Sequence, residues 1–155
     1  MSRALYVEAS TEYEGNRVSV FLAGGITGCP DWQAEARKRL DDLPIAILNP
    51  RRADFPTDDP SAARGQIEWE FRHLRRVSVV MFWFPASGPV TQPIALYELG
   101  RHAALTRRIV VGADPAYIRR QDVDIQLKLA RPEIAVYDTL EDTAGRAWRE
   151  LQWLL

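Results

Sequence analysis

The sequence predicts an α/β three-layer sandwich built on a five-stranded parallel sheet. Three observations lead there. From residue 18 onward, short apolar runs alternate with segments of helical spacing. The run at residues 77–84 is apolar almost throughout rather than alternating, as in a strand covered on both faces. The 155 residues, 46% hydrophobic, supply a core for one domain without a disulfide or metal staple.

Residues 18–23 read as the first strand, rich in branched and aromatic side chains and ended by Gly24 and Gly25. Asp31 is placed to cap a helix running to about Asp41, with Trp32, Ala36 and Leu40 on its inner face. Residues 44–48 form the second strand, stopped by Asn49 and Pro50, and residues 51–60 a polar loop. Helical spacing through Ile67, Phe71 and Leu74 predicts a helix over 61–76, leading into the third strand at 77–84. Pro93 suits the first turn of a helix reaching about Thr106. A fourth strand at 109–111, a turn at 112–117, a helix over 119–130, a fifth strand at 134–137 and a helix over 139–155 complete the pattern. Residues 1–17 read as an N-terminal arm or an edge strand, with Leu5 to Glu8 the candidate stretch, and residues 1–155 as a single domain.

Composition narrows the partners. A formal net charge of -1 gives no field that would draw the chain to a nucleic-acid polymer or an anionic membrane. Residues 1–10 lack the basic start and apolar run of a signal peptide, and no stretch approaches the roughly 20 apolar residues of a membrane span. The lone Cys29 forms no internal disulfide, which suits a reducing cytoplasm. His73 and His102 lack metal-ligand spacing, so no metal and no cofactor is expected. No Gly-x-Ser-x-Gly elbow points to a serine hydrolase.

In such a sheet, ligands bind beyond the carboxyl ends of the strands, near a switch in strand order. That rule selects residues 24–30, 49–55, 85–92 and 112–117. Gly24, Gly25 and Gly28 either let backbone amides approach a sugar or phosphate or serve a tight turn. Glu70 sits three residues after Ile67 and four before Leu74, at the edge of the apolar stripe, as a partnered structural carboxylate or a catalytic one. Glu68, off that stripe with Arg72 at i+4, reads as a solvated pair. Glu98 borders the stripe Ala95, Leu99 and Ala103; it faces the strand edge or pairs on the surface with Arg101 or His102. Arg51 and Arg52 either hold a phosphate or carboxylate or are solvated loop charges.

Taken in order, several short motifs resemble the nucleoside 2-deoxyribosyltransferase-like superfamily. They are Val20-Phe21-Leu22-Ala23-Gly24-Gly25-Ile26-Thr27-Gly28 with Asp31-Trp32, then Asn49-Pro50-Arg51-Arg52, then Gln66-Ile67-Glu68-Trp69-Glu70-Phe71, then the strand ending Phe82-Trp83-Phe84-Pro85. The strongest is Tyr97-Glu98-Leu99-Gly100, preceded by Val90-Thr91-Gln92-Pro93, a version of which occurs in the related 2'-deoxynucleoside 5'-monophosphate N-glycosidases. The resemblance spans about residues 18 to 137.

The resemblance implies a flavodoxin-like fold and an enzyme that transfers or hydrolyses at an N-glycosidic bond of a small-molecule nucleoside or nucleotide. It implies Glu98 as nucleophile, forming a covalent glycosyl-enzyme, and Glu70 as the acid/base or orienting group, the physics being that of a retaining glycosidase. Phe21, Gly24, Gly25, Thr27, Asn49, Arg51, Arg52 and Gln92 would line the substrate, and a homo-oligomer is expected by analogy. Trp83 or Phe84 would either stack on the base or be core. Trp148 or Trp153 would either mark an oligomer surface or pack on the sheet. Departures are Phe21 where the family has a tyrosine, and Thr27 where the monophosphate glycosidases have an arginine. They keep two alternatives open: a non-catalytic nucleotide sensor, and a glycosidase acting on NAD-like dinucleotides.

Overall fold

The computed structural model describes residues 3–54, 56 and 58–155, so that Phe55 of the predicted 49–55 segment lies outside the described residues. Among the described residues, six strands form one parallel sheet in the order β1-β3-β2-β4-β5-β6: the sheet has one strand more than the predicted five, and the addition is the Leu5 to Glu8 stretch left open as an arm or an edge strand. The extra strand is β1 (Leu5–Glu8), which pairs with β3 (Ala46–Asn49) from Leu5 opposite Ala46 to Glu8 opposite Asn49. Four residues are too few to show a period. The partner strand, distant in sequence, decides the conformation.

The other five strands keep the flavodoxin-like order. From β2 (Ser19–Gly24), the chain passes through α1 (Trp32–Leu40) to β3 on one side. It then returns through α2 (Pro60–Arg76) to β4 (Val79–Phe84) on the other side of β2. The strand order therefore switches between β2 and β4, which opens a crevice at their carboxyl ends. The chain continues through α3 (Pro93–Ala104), β5 (Ile109–Ala113), α4 (Arg120–Ala130), β6 (Val136–Tyr137) and α5 (Leu140–Leu154).

Strand alternation sends side chains into two cores. Val20, Leu22, Met81 and Trp83 pack with Trp32, Ala36 and Leu40 of α1 and with Ala144, Ala147 and Leu151 of α5. Phe21, Ala23, Phe82 and Phe84 pack on the opposite face with Trp69 of α2, Leu99 of α3 and Leu127 of α4. Asp31 caps α1 as predicted, its carboxylate accepting the Ala34 N–H at 3.2 Å. Among the described residues, no helix is long and apolar enough to cross a membrane.

Two local expectations change. Gly112, predicted in a turn, lies inside β5, where a Cβ would stand 1.8 Å from Thr143 Oγ1 of α5. Gly112→Ala should therefore cost about 1–3 kcal/mol of stability through overpacking; an unchanged urea midpoint would contradict the close approach. The second change concerns α2. Ile67 is 65% exposed and Phe71 41%, while Trp69, His73 and Leu74 are buried. The inner face is therefore rotated from the predicted stripe, because Trp69 and His73 outweigh Ile67 and Phe71 in the contacts that the sheet offers.

Candidate active site

The glycine segment after β2 is held by its own surroundings. A Cβ on Gly24 would lie 2.1 Å from the Trp83 carbonyl, and one on Gly25 2.5 Å from both Cys29 Sγ and Gln92 Oε1. Trp32 Nε1 donates to the Gly25 carbonyl at 3.0 Å. Arg51 Nη2 donates to the carbonyls of Ile26, Cys29 and Pro30 at 3.0–3.1 Å, and its Nε to Gln33 Oε1 at 3.0 Å. Asn49 receives the Arg51 N–H at 2.9 Å and donates to the Tyr6 hydroxyl at 2.8 Å. The hydrogen bonds of Asn49 and Arg51 are thus made within the protein, where they tie the glycine segment to the end of β3. Arg52 is largely buried, with Nη2 3.9 Å from Asp54, and Thr27 is exposed at the segment's tip.

Across the crevice, Gln92 precedes α3 with left-handed backbone (φ 52°, ψ 56°), unusual for a residue with a side chain. It is buried, and its Nε2 donates to the Pro85 carbonyl at 2.9 Å and to Ser87 Oγ at 3.0 Å. Pro85 O can only accept, which fixes the amide orientation and leaves Oε1 as a buried acceptor without a partner among the described residues. The Tyr117 hydroxyl, from the loop after β5, donates to the Thr91 carbonyl and so holds the same turn.

The two carboxylates lie on α2 and α3, close enough for the Glu70 charge to act on Glu98. Both residues keep some surface open to solvent, while their carboxyl groups are desolvated. Burial pushes the Glu98 carboxyl up to about 8; the Glu70 charge adds to the rise and Arg101 opposes it. Burial also raises Glu70, and the Gln66 amide, donating to its Oε1 at 2.9 Å, lowers it. Gln66 Nε2 also donates to the Pro50 carbonyl at 2.7 Å, linking the acid to the end of β3. Two like charges in a desolvated cleft favour a pair that carries one proton between them.

Around this pair, α2 and α3 each expose two large apolar side chains. Ile67 and Phe71 flank Glu70; Ile94 and Tyr97, 64% and 70% exposed, flank Glu98. The Arg101 guanidinium lies 4.5 Å from the Phe71 ring and bridges the two helices.

Other predicted residues lie deeper. Phe21 is buried with its ring 5.8 Å from that of Trp69, and Trp83 and Phe84 are both core. Trp148 packs on its own sheet and donates to Asp42 at 3.0 Å, whereas Trp153 is exposed. A groove of about 420 Å³ between α3 and α4 and a polar cavity of about 470 Å³ near His73 and Ser78 both lie away from the carboxylates. Among the described residues, no three His, Cys, Asp or Glu side chains gather as metal ligands.

Residues 17–117 match the family model described as nucleoside 2-deoxyribosyltransferase like. The chain belongs to this family. A comparison with curated proteins finds no match. In this deoxyribosyltransferase-like chain, the matched region runs from just before β2 to Tyr117, and so contains the glycine segment, both carboxylates and the Gln92 turn. Sequence reasoning did not single out Gln66, Ser87 or Tyr117. The i, i+4 spacing of Gln66 and Glu70 was the one available signal; the partners of Ser87 and Tyr117 form only when the loops meet.

Proposed function

We propose that this chain breaks or exchanges the N-glycosidic bond of a nucleoside or nucleotide through a covalent glycosyl-enzyme on Glu98. The observation that supports this most is the desolvated pair, Glu70 on α2 and Glu98 on α3, whose charges act on each other. In the proposed reaction, a Glu98 oxygen bonds to C1′ as the C1′–N bond breaks, and Glu70 gives its proton to the departing base. Glu70, now a carboxylate, takes a proton from water or from a second base, whose oxygen or nitrogen attacks C1′ and releases Glu98 with retention. The productive form of the pair has its single proton on Glu70. Neither metal nor organic cofactor enters these steps.

The hydrogen bonds of Arg51 support a finer reading: its guanidinium is spent on loop carbonyls, so it is not offered to a phosphate. Nucleosides are therefore the favoured substrates over 5′-monophosphates. By family analogy, a second copy of the chain covers the apolar rim of Ile67, Phe71, Ile94 and Tyr97.

A panel of nucleosides, monophosphates and NAD, followed by chromatography of the free base, tests the reading, with sedimentation of the same sample reporting the oligomer. Nucleosides should exceed their monophosphates at least about tenfold in kcat/KM, equivalent to roughly 1.4 kcal/mol in the transition state. Tight binding with no base released would instead support a sensor, and nicotinamide release a dinucleotide glycosidase.

A further inference from the structure

His102 is buried on α3, one turn beyond Glu98. Its Nδ1 has no hydrogen-bond partner among the described residues. The other buried histidine behaves differently: His73 Nδ1 meets the Trp69 carbonyl at 2.7 Å, and its Nε2 accepts the Tyr13 N–H at 3.0 Å. A histidine that serves packing alone in this fold is thus satisfied at both nitrogens, and His102 is not. Glu98 is half-buried, its carboxyl raised by burial and by the Glu70 charge, and among the described residues no side chain hydrogen-bonds it. Phe21, buried on β2, offers no hydroxyl.

Residues four apart on a helix have Cβ atoms about 5–6 Å apart. Helical side chains lean toward the amino end, which directs the His102 ring back over the turn of Glu98. The buried His102 Nδ1 lacks a partner among the described residues, and the half-buried Glu98 carboxylate on the preceding turn is an acceptor that can supply one. We infer that His102 is a positioning residue for the nucleophile, its Nδ1–H donating to the ionised Glu98 carboxylate directly or through one water.

The surrounding charges fit a neutral donor. Burial first, then the charges of Arg107 in the following turn and Arg101 of α3, oppose an imidazolium, and the Arg75 charge of α2 acts on Arg107. The Phe82 ring, 6.3 Å away and tilted, covers the ring's sheet side. Glu70 is the charge that faces Glu98 from α2. A donor on Glu98 alone biases the shared proton toward Glu70, the productive arrangement. This consequence rests on the nucleophile assignment made above.

The test titrates the Glu98 carboxyl by isotope-edited NMR in the free protein, alongside kcat/KM, for wild type, His102→Leu, His102→Asn and His102→Gln. The leucine variant should raise the Glu98 midpoint by at least about one pH unit and lower maximal kcat/KM about tenfold. Asparagine, whose amide N–H falls near the Nδ1 position, should restore both; glutamine, which reaches toward Nε2, should not. If the leucine variant fails to fold, the asparagine–glutamine contrast carries the same test. One common midpoint across the folded variants overturns the inference. The titration needs no substrate, so absence of base release in wild type would count against the proposed function while the midpoints judge His102 separately.

Discussion

Glu98→Ala should abolish base release, with a loss on the order of 10³-fold or more in kcat, while the fold persists. The expectation follows from where the side chain lies. Glu98 is on α3 beside buried Ala95 and Leu99 but is itself only half-buried, so truncation removes the carboxyl group without opening the core. The wild type should also gain the mass of one sugar on Glu98 when trapped with substrate, and the variant should not. Residual turnover within tenfold of wild type would mean that the bond is broken by another group. Glu70→Gln should lose less, because a base of low proton demand departs with little help, and the loss should deepen with poorer leaving groups.

The second large effect is on pH dependence, and it appears in both activity and stability. The singly protonated pair is the reactive form, so kcat/KM should be bell-shaped, with an alkaline limb near pH 8 and an acid limb above the ordinary carboxylate range. In stability, Glu98 has a folded-state pKa raised from 4.5 to about 8. Between those values the unfolded chain has released the proton and the folded chain has kept it. Stability is then fully present below the unfolded value and falls as pH rises through the folded one. Glu98→Gln removes that fall. Allowing for the partial exposure of the residue, the variant should be more stable than wild type by about 2–4 kcal/mol at pH 9 and nearly equal at pH 5. Thermal melts at the two pH values read the difference as several degrees. An equal gap at both would show that the carboxylate is solvated and the site is not built as described. A protein that gains stability by losing this carboxylate holds it for chemistry rather than for packing.

Much of this architecture is written locally. The alternation of apolar runs with helical segments, the Asp31 cap, Pro93 at the start of α3 and the inner stripe Ala95, Leu99 and Ala103 all act over a few residues, and a reading of neighbours recovers them. The order of short motifs likewise gave the family, and with it Glu98 and Glu70 as a pair.

Tertiary structure decided what depends on distant partners. Leu5 to Glu8 became a sixth strand because β3 offered an open edge. The inner face of α2 was set by Trp69, which stacks on His73 at 4.3 Å and donates to the Thr11 carbonyl at 2.8 Å, leaving Ile67 and Phe71 outside. Arg51 looked like a free cation until its hydrogen bonds to the glycine segment were formed, and the desolvation that raises Glu98 exists only once α2 and α3 lie side by side. Sequence carries the residue types and local periods. Burial, charge proximity and hydrogen-bond completion arise between segments far apart in the chain, and burial, the largest of the three, raises Glu98 and Glu70 together.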